Sequence, residues 1–129
     1  MRIGRRRIIR SAVLLLTTGL AGCLAAAAAG AGGAIVFSGH TAEAIVDRPV
    51  GEMADVAAET MRTEGIDITD TRSENSGAKR TFEGAKDGTD VTVTITRTDE
   101  GTKIGVVARR NAARWDDDYA RALLAKIIE

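Results

Sequence analysis

Two periodicities divide the chain beyond residue 40. Apolar side chains at Val50, Met53, Ala54, Ala57 and Met61 recur every three or four positions, while Glu52, Asp55, Glu59 and Arg62 fall mainly on the other side, which predicts an amphipathic helix. Pro49 suits the first turn of that helix and Gly65 its C-terminal end. A second stripe, Ala120, Leu123, Leu124, Ile127 and Ile128, follows the acidic triplet Asp116, Asp117 and Asp118, predicting a last helix that opens on an aspartate cap. Elsewhere the period is two. Thr41 to Asp47 reads as a strand, and Ile66 and Ile68 alternate with Asp67 and Thr69. Val91, Val93 and Ile95 alternate with Thr92, Thr94 and Thr96; Ile104, Val106 and Ala108 keep the rule after a turn at Asp99-Glu100-Gly101. Phe82 marks a further strand, and Lys86-Asp87-Gly88 is the hairpin turn leading to Val91.

The order β-α-β-β-β-β-α predicts an α+β domain of two layers, a mostly antiparallel sheet with both helices on one face. Aromatic residues are few, so the core is expected to consist mainly of Ala, Val, Ile, Leu and Met.

The first forty residues follow another plan. Ser11 to Ser38 carries no charge, and Arg2, Arg5, Arg6, Arg7 and Arg10 precede it without one acidic residue. A basic segment (Met1 to Arg10), an apolar stretch (Ser11 to Leu20) and small residues before Cys23 form the layout of an export signal. Arg5-Arg6-Arg7-Ile8-Ile9-Arg10 also resembles the twin-arginine pattern, so general and twin-arginine export both stay open. The charge asymmetry holds the N-terminus in the cytoplasm and sends the rest outward.

The formal net charge of zero conceals this asymmetry. Five of the 18 Lys and Arg residues lie in the basic segment, leaving 13 against 18 acids and a net charge of −5 for the remainder. Such a domain repels phosphate backbones, so no nucleic-acid partner is expected.

Leu20-Ala21-Gly22-Cys23 resembles a lipobox, the cleavage and lipidation signal of prokaryotic lipoproteins. The resemblance implies cleavage between Gly22 and Cys23, a diacylglyceryl group on the Cys23 sulfur, and in many bacteria acylation of the new amine. It places the protein in the cell membrane on the extracytoplasmic side, with an outer membrane open where the cell has one, since Leu24 rather than aspartate follows Cys23. With one cysteine in the chain, no disulfide within the monomer competes for it. A single-pass helix from Ala12 to Phe37 is the alternative, being longer than the roughly 20 residues a span requires. The expected organisation is therefore a signal peptide over 1–22, a lipidated Ala/Gly-rich tether over 23–39, with Ile35, Val36 and Phe37 against the bilayer, and the α+β domain over 40–129.

A second resemblance covers nearly the whole chain. The lipobox, the tether, Asp47-Arg48-Pro49, Glu64-Gly65-Ile66, Asp87-Gly88 and Leu123-Leu124-Ala125-Lys126-Ile127 are similar to a family of small prokaryotic lipoproteins catalogued only as a domain of unknown function, family 3568. Where that family's pattern leads one to expect a glycine-containing loop before the last helix, this chain has Asn111-Ala112-Ala113-Arg114-Trp115. The likeness implies a fold and a location, and no activity.

No catalytic constellation emerges from the residues. His40 is the single histidine and lacks a cysteine to pair with, which favours a solvated side chain. The adjacent carboxylates of Asp116, Asp117 and Asp118 lack the alternate spacing of a calcium loop and suit helix capping instead. Arg109, Arg110 and Arg114 form a basic patch beside Trp115, which is expected to staple the last helix. The chain thus reads as a non-catalytic binding or structural module, with the membrane and an envelope protein as partners and no cofactor or metal. Two alternatives remain: a hydrolase of envelope material using carboxylates such as Glu83 and Asp90, and a ligand-binding module using the threonines at 92, 94 and 96 on an open sheet face.

Overall fold

The computed structural model describes residues 33–111 and 113–129. In chain order the elements are β1 (Val36–Ser38), β2 (Thr41–Val46), α1 (Val50–Thr63), β3 (Asp67–Glu74), β4 (Lys79–Lys86), β5 (Thr89–Thr98), β6 (Gly101–Asn111), β7 (Arg114–Trp115) and α2 (Asp117–Ile128). The strands form one sheet in the order β1-β2-β6-β5-β4-β3, with β7 paired to β6 off that path. Every pairing is antiparallel. The α+β architecture expected from the periodicities is present, with short strands added at either end of the series.

Local chemistry explains the joints. At the C-terminus of α1 the Gly65 N–H donates to Arg62 O at 3.0 Å and the Ile66 N–H to Met61 O at 2.9 Å, the two bonds of a Schellman motif, with Gly65 left-handed at φ 78°. Ile66, the next residue, is buried and closes the motif hydrophobically. The β4–β5 hairpin turns on Asp87 (φ 49°) and Gly88 (φ 77°), the two left-handed positions of a type I′ turn. At the other end of α1, Pro49 occupies the N-cap, and Thr102 on β6 fixes the approach by donating its hydroxyl to Arg48 O at 2.5 Å.

One face of the sheet carries the core. Val93 faces Phe82 on β4 and Val106 on β6, and Ile95 faces Ile104, which in turn faces Ala44 on β2. Against these side chains α1 buries Val50, Met53, Ala54, Ala57, Ala58 and Met61, and α2 buries Ala120, Leu123, Leu124, Ile127 and Ile128. Helix α1 lies over β3, β4 and β5, α2 lies over β2 and β6, and the helices touch. Among the described residues the opposite face of the sheet is left open.

The sheet begins earlier than the 40–129 domain boundary predicts. Val36–Ser38 falls inside the segment read as tether, yet it pairs with Thr41–Glu43, and Ile35 and Phe37 pack against the core. Phe37 therefore takes up sheet packing in place of the bilayer contact expected of it. Any membrane span in the apolar run must likewise end before this strand, and among the described residues no helix is long and apolar enough to cross a membrane.

Candidate functional site

The open face is built from alternate residues of the central strands. Thr92 lies between Glu83 and Val107, Thr94 between Thr81 and Gly105, and Thr96 between Lys79 and Lys103. Glu43 continues the middle row on β2, beside Gly105. Because Gly105 contributes no side chain, the centre of the sheet sinks, leaving a cavity of about 280 Å³ lined by the three threonines, Thr41, Glu43 and both lysines. A Cβ on Gly105 would approach Thr41 Cγ2 to 3.2 Å, so an alanine there would fill the floor and press on its neighbour. The threonine row expected from strand alternation is thus real, and it lines a depression.

Charged side chains rim this depression. Arg72 Nη2 lies 2.6 Å from Glu83 Oε1, Arg72 Nε lies 3.4 Å from Asp70 Oδ2, and Lys79 Nζ stands 3.8 Å from Glu74. Glu83 and Asp90, named as carboxylates for a hydrolase, share the open face two register positions apart, since Glu83 pairs with Thr92 and Asp90 with Ala85. Arg72 occupies Glu83, however, and Asp90 is exposed. Among the described residues no group of three or more His, Cys, Asp and Glu side chains is placed to hold a metal ion.

At one end of the same face the sheet topology brings together residues that sequence spacing keeps apart. Both β2 and β7 pair with β6, Ala42 opposite Val106 and Trp115 opposite Arg109, so the β1–β2 hairpin tip abuts β7. His40, in that tip, stacks on Trp115 with ring centroids 4.7 Å apart and planes 7° from parallel. The Arg109 guanidinium carbon lies 4.9 Å from the Trp115 ring centroid. His40 Nδ1 stands 2.9 and 3.2 Å from the two carboxylate oxygens of Asp117, the first residue of α2. His40 is half-exposed, yet it is held on two sides, which the solvated reading did not foresee. Trp115, expected to staple α2, is partly exposed and packs its ring on the imidazole.

The acidic triplet caps α2 as expected. Asp116 Oδ1 accepts from the Tyr119 N–H at 3.0 Å, and Arg110 donates to Asp116 Oδ2 at 3.0 Å. The Tyr119 backbone bond, aided by Arg110, holds the Asp116 carboxyl below its ordinary range despite partial burial. Behind it, Lys86, Thr89, Arg110, Asp116 and Tyr119 line a cavity of about 520 Å³. Burial raises the Tyr119 phenol above its usual value, and its hydroxyl has no hydrogen-bond partner among the described residues. Lys86 Nζ, also on this wall, donates to Glu64 O at 2.6 Å and so satisfies a carbonyl at the end of α1.

Leu20, Ala21, Gly22 and Cys23 lie outside the described residues. A family model described as "Protein of unknown function (DUF3568)" matches residues 7–129. The chain belongs to this family. The match to the DUF3568 model starts at Arg7 and runs to Glu129, so its span takes in all of the α+β domain. No curated protein matches the chain.

Proposed function

We propose that this DUF3568 protein is a lipid-anchored protein of the cell envelope, held at the membrane through Cys23, with its α+β domain serving as a non-catalytic binding module on the extracytoplasmic side. The observation that carries the reading is Leu20-Ala21-Gly22-Cys23, which follows a basic and then an apolar segment and contains the chain's sole cysteine. A thiol is the nucleophile that thioether formation needs, and the small residues before it suit an extended peptide in a peptidase cleft. Residues 24–32 then separate Cys23 from the first described residue, Gly33, a distance of at most about 35 Å when the chain is fully extended. An anchored domain so tethered stays close to its membrane.

One feature supports a binding role and a second a non-catalytic one. The depression at Thr92, Thr94 and Thr96 offers hydroxyl groups that donate and accept, and Lys103 beside it takes part in no ion pair among the described residues. His40, the single imidazole, spends its contacts on Trp115 and Asp117, where it ties the β1–β2 tip to the start of α2. Replacement of Cys23 by alanine tests the anchor. The substituted protein is expected to leave the membrane fraction, whereas sedimentation with membranes in high salt would favour a helical span.

A further inference from the structure

Val36, Ile45 and Trp115 are exposed large apolar side chains, at 59%, 37% and 38% of their accessible surface. Trp115 is explained by its stacking on His40. The other two stand together. Val36 lies opposite Glu43 on β2, and Ile45 is two residues further along that strand, so both project from the open face at its β1 edge. With Ala34, Glu43, Ala44 and Lys103 they line a mainly apolar cavity of about 250 Å³. Lys103 faces Ile45 directly across the β2–β6 pairing.

Gly33, the first described residue and the one nearest Cys23 along the chain, lies at this same corner. Gly33 is pressed so closely on β2 that a Cβ there would sit 2.1 Å from the carbonyl oxygen of Ile45. The geometry points to this corner as a membrane-contact surface. Val36 and Ile45 enter the interfacial region of the bilayer, and the Lys103 ammonium meets the phosphate of an anionic headgroup. This inference rests on the lipid-anchor reading. The length of the tether selects a bilayer as the occupant: residues 24–32 alone separate Cys23 from Gly33 at this corner, so a membrane-bound chain presents the bilayer to it at high local concentration. The apolar pair beside a lysine adds apolar and electrostatic contact to that of the acyl chains. Glu43, on β2 between them, offsets part of the positive charge, so the apolar pair provides most of the contact.

The test uses the mature, lipidated protein in vesicles of phosphatidylcholine and phosphatidylglycerol. With the Cys23 sulfur acylated, an introduced cysteine is the sole free thiol, and a fluorophore is attached in Ile45→Cys, in Val36→Cys and, on the exposed side of α1, in Glu59→Cys. Lipids brominated along their acyl chains are expected to quench the probes at 45 and 36 about twofold more than the probe at 59. Equal quenching of all three in protein that floats with the vesicles overturns the inference and leaves the anchor intact. Equal quenching with an emission shift that grows with protein concentration also overturns it, and assigns the corner to a second copy of the chain. Protein that does not float with vesicles overturns the anchor reading and the inference with it.

Discussion

Asp116 joins three parts of the molecule through one carboxylate: the first turn of α2, Arg110 on β6 and the wall of the cavity at Tyr119. Asp116→Ala is expected to lose about 1 kcal/mol in urea unfolding, the usual cost of removing a helix cap. The sign of its pH dependence follows from the lowered carboxyl. The folded value lies below the ordinary 3.8, so the stabilisation is complete at neutral pH and disappears as pH falls through the folded value. The gap between Asp116→Ala and the parent should therefore be full at pH 7 and narrow in strong acid. Gly84 is a second diagnostic residue, because a Cβ there would sit 2.7 Å from both Asp67 O and Ile66 Cγ2. Gly84→Ala should cost about 1–3 kcal/mol by the same unfolding measurement, since backbone and a buried isoleucine cannot both move aside. At this scale the cap was legible in the chain because an N-cap acts within one turn. The His40–Asp117 contact was not, because these residues lie 77 positions apart and only the shared pairing with β6 makes them neighbours.

At the scale of elements, what could be read depended on length and on having two unlike faces. The stripes of α1 and α2 recur over several turns, and the apolar positions named in them are all buried, Ala58 being the one addition. Strands β5 and β6 alternate clearly because one side packs under helices and the other stays open. Strands β1 and β7, of three and two residues, are too short to show a period, and β1 is further hidden by its Ala/Gly-rich surroundings. The second half of β3, Asp70 to Glu74, is exposed on both sides at the sheet edge, so its side chains carry no apolar alternation; charges on such an edge discourage pairing with another chain. Leu124 is fully buried where α2 meets the sheet. Leu124→Ala should lose about 2–5 kcal/mol in thermal or urea unfolding, whereas Thr94→Ala on the open face should fall within about 0.5 kcal/mol of the parent.

At the scale of the whole molecule, the division of labour runs along the chain. Its first part carries five arginines and the apolar run; the remainder, with a net charge of −5, carries a two-layer fold whose helices cover one face of the sheet and, among the described residues, leave the other open. The threonine row of that face was legible as alternation, but its depression was not, because it depends on Gly105 lying beside Thr94 across a strand pairing. The exposed Val36–Ile45 corner is likewise a product of register. Attachment to the membrane through Cys23 is tested by intact mass spectrometry of the protein purified from its own membranes. The predicted mass lacks residues 1–22 and carries added acyl groups at Cys23. A mass that retains those residues with an unmodified thiol at Cys23 would contradict it.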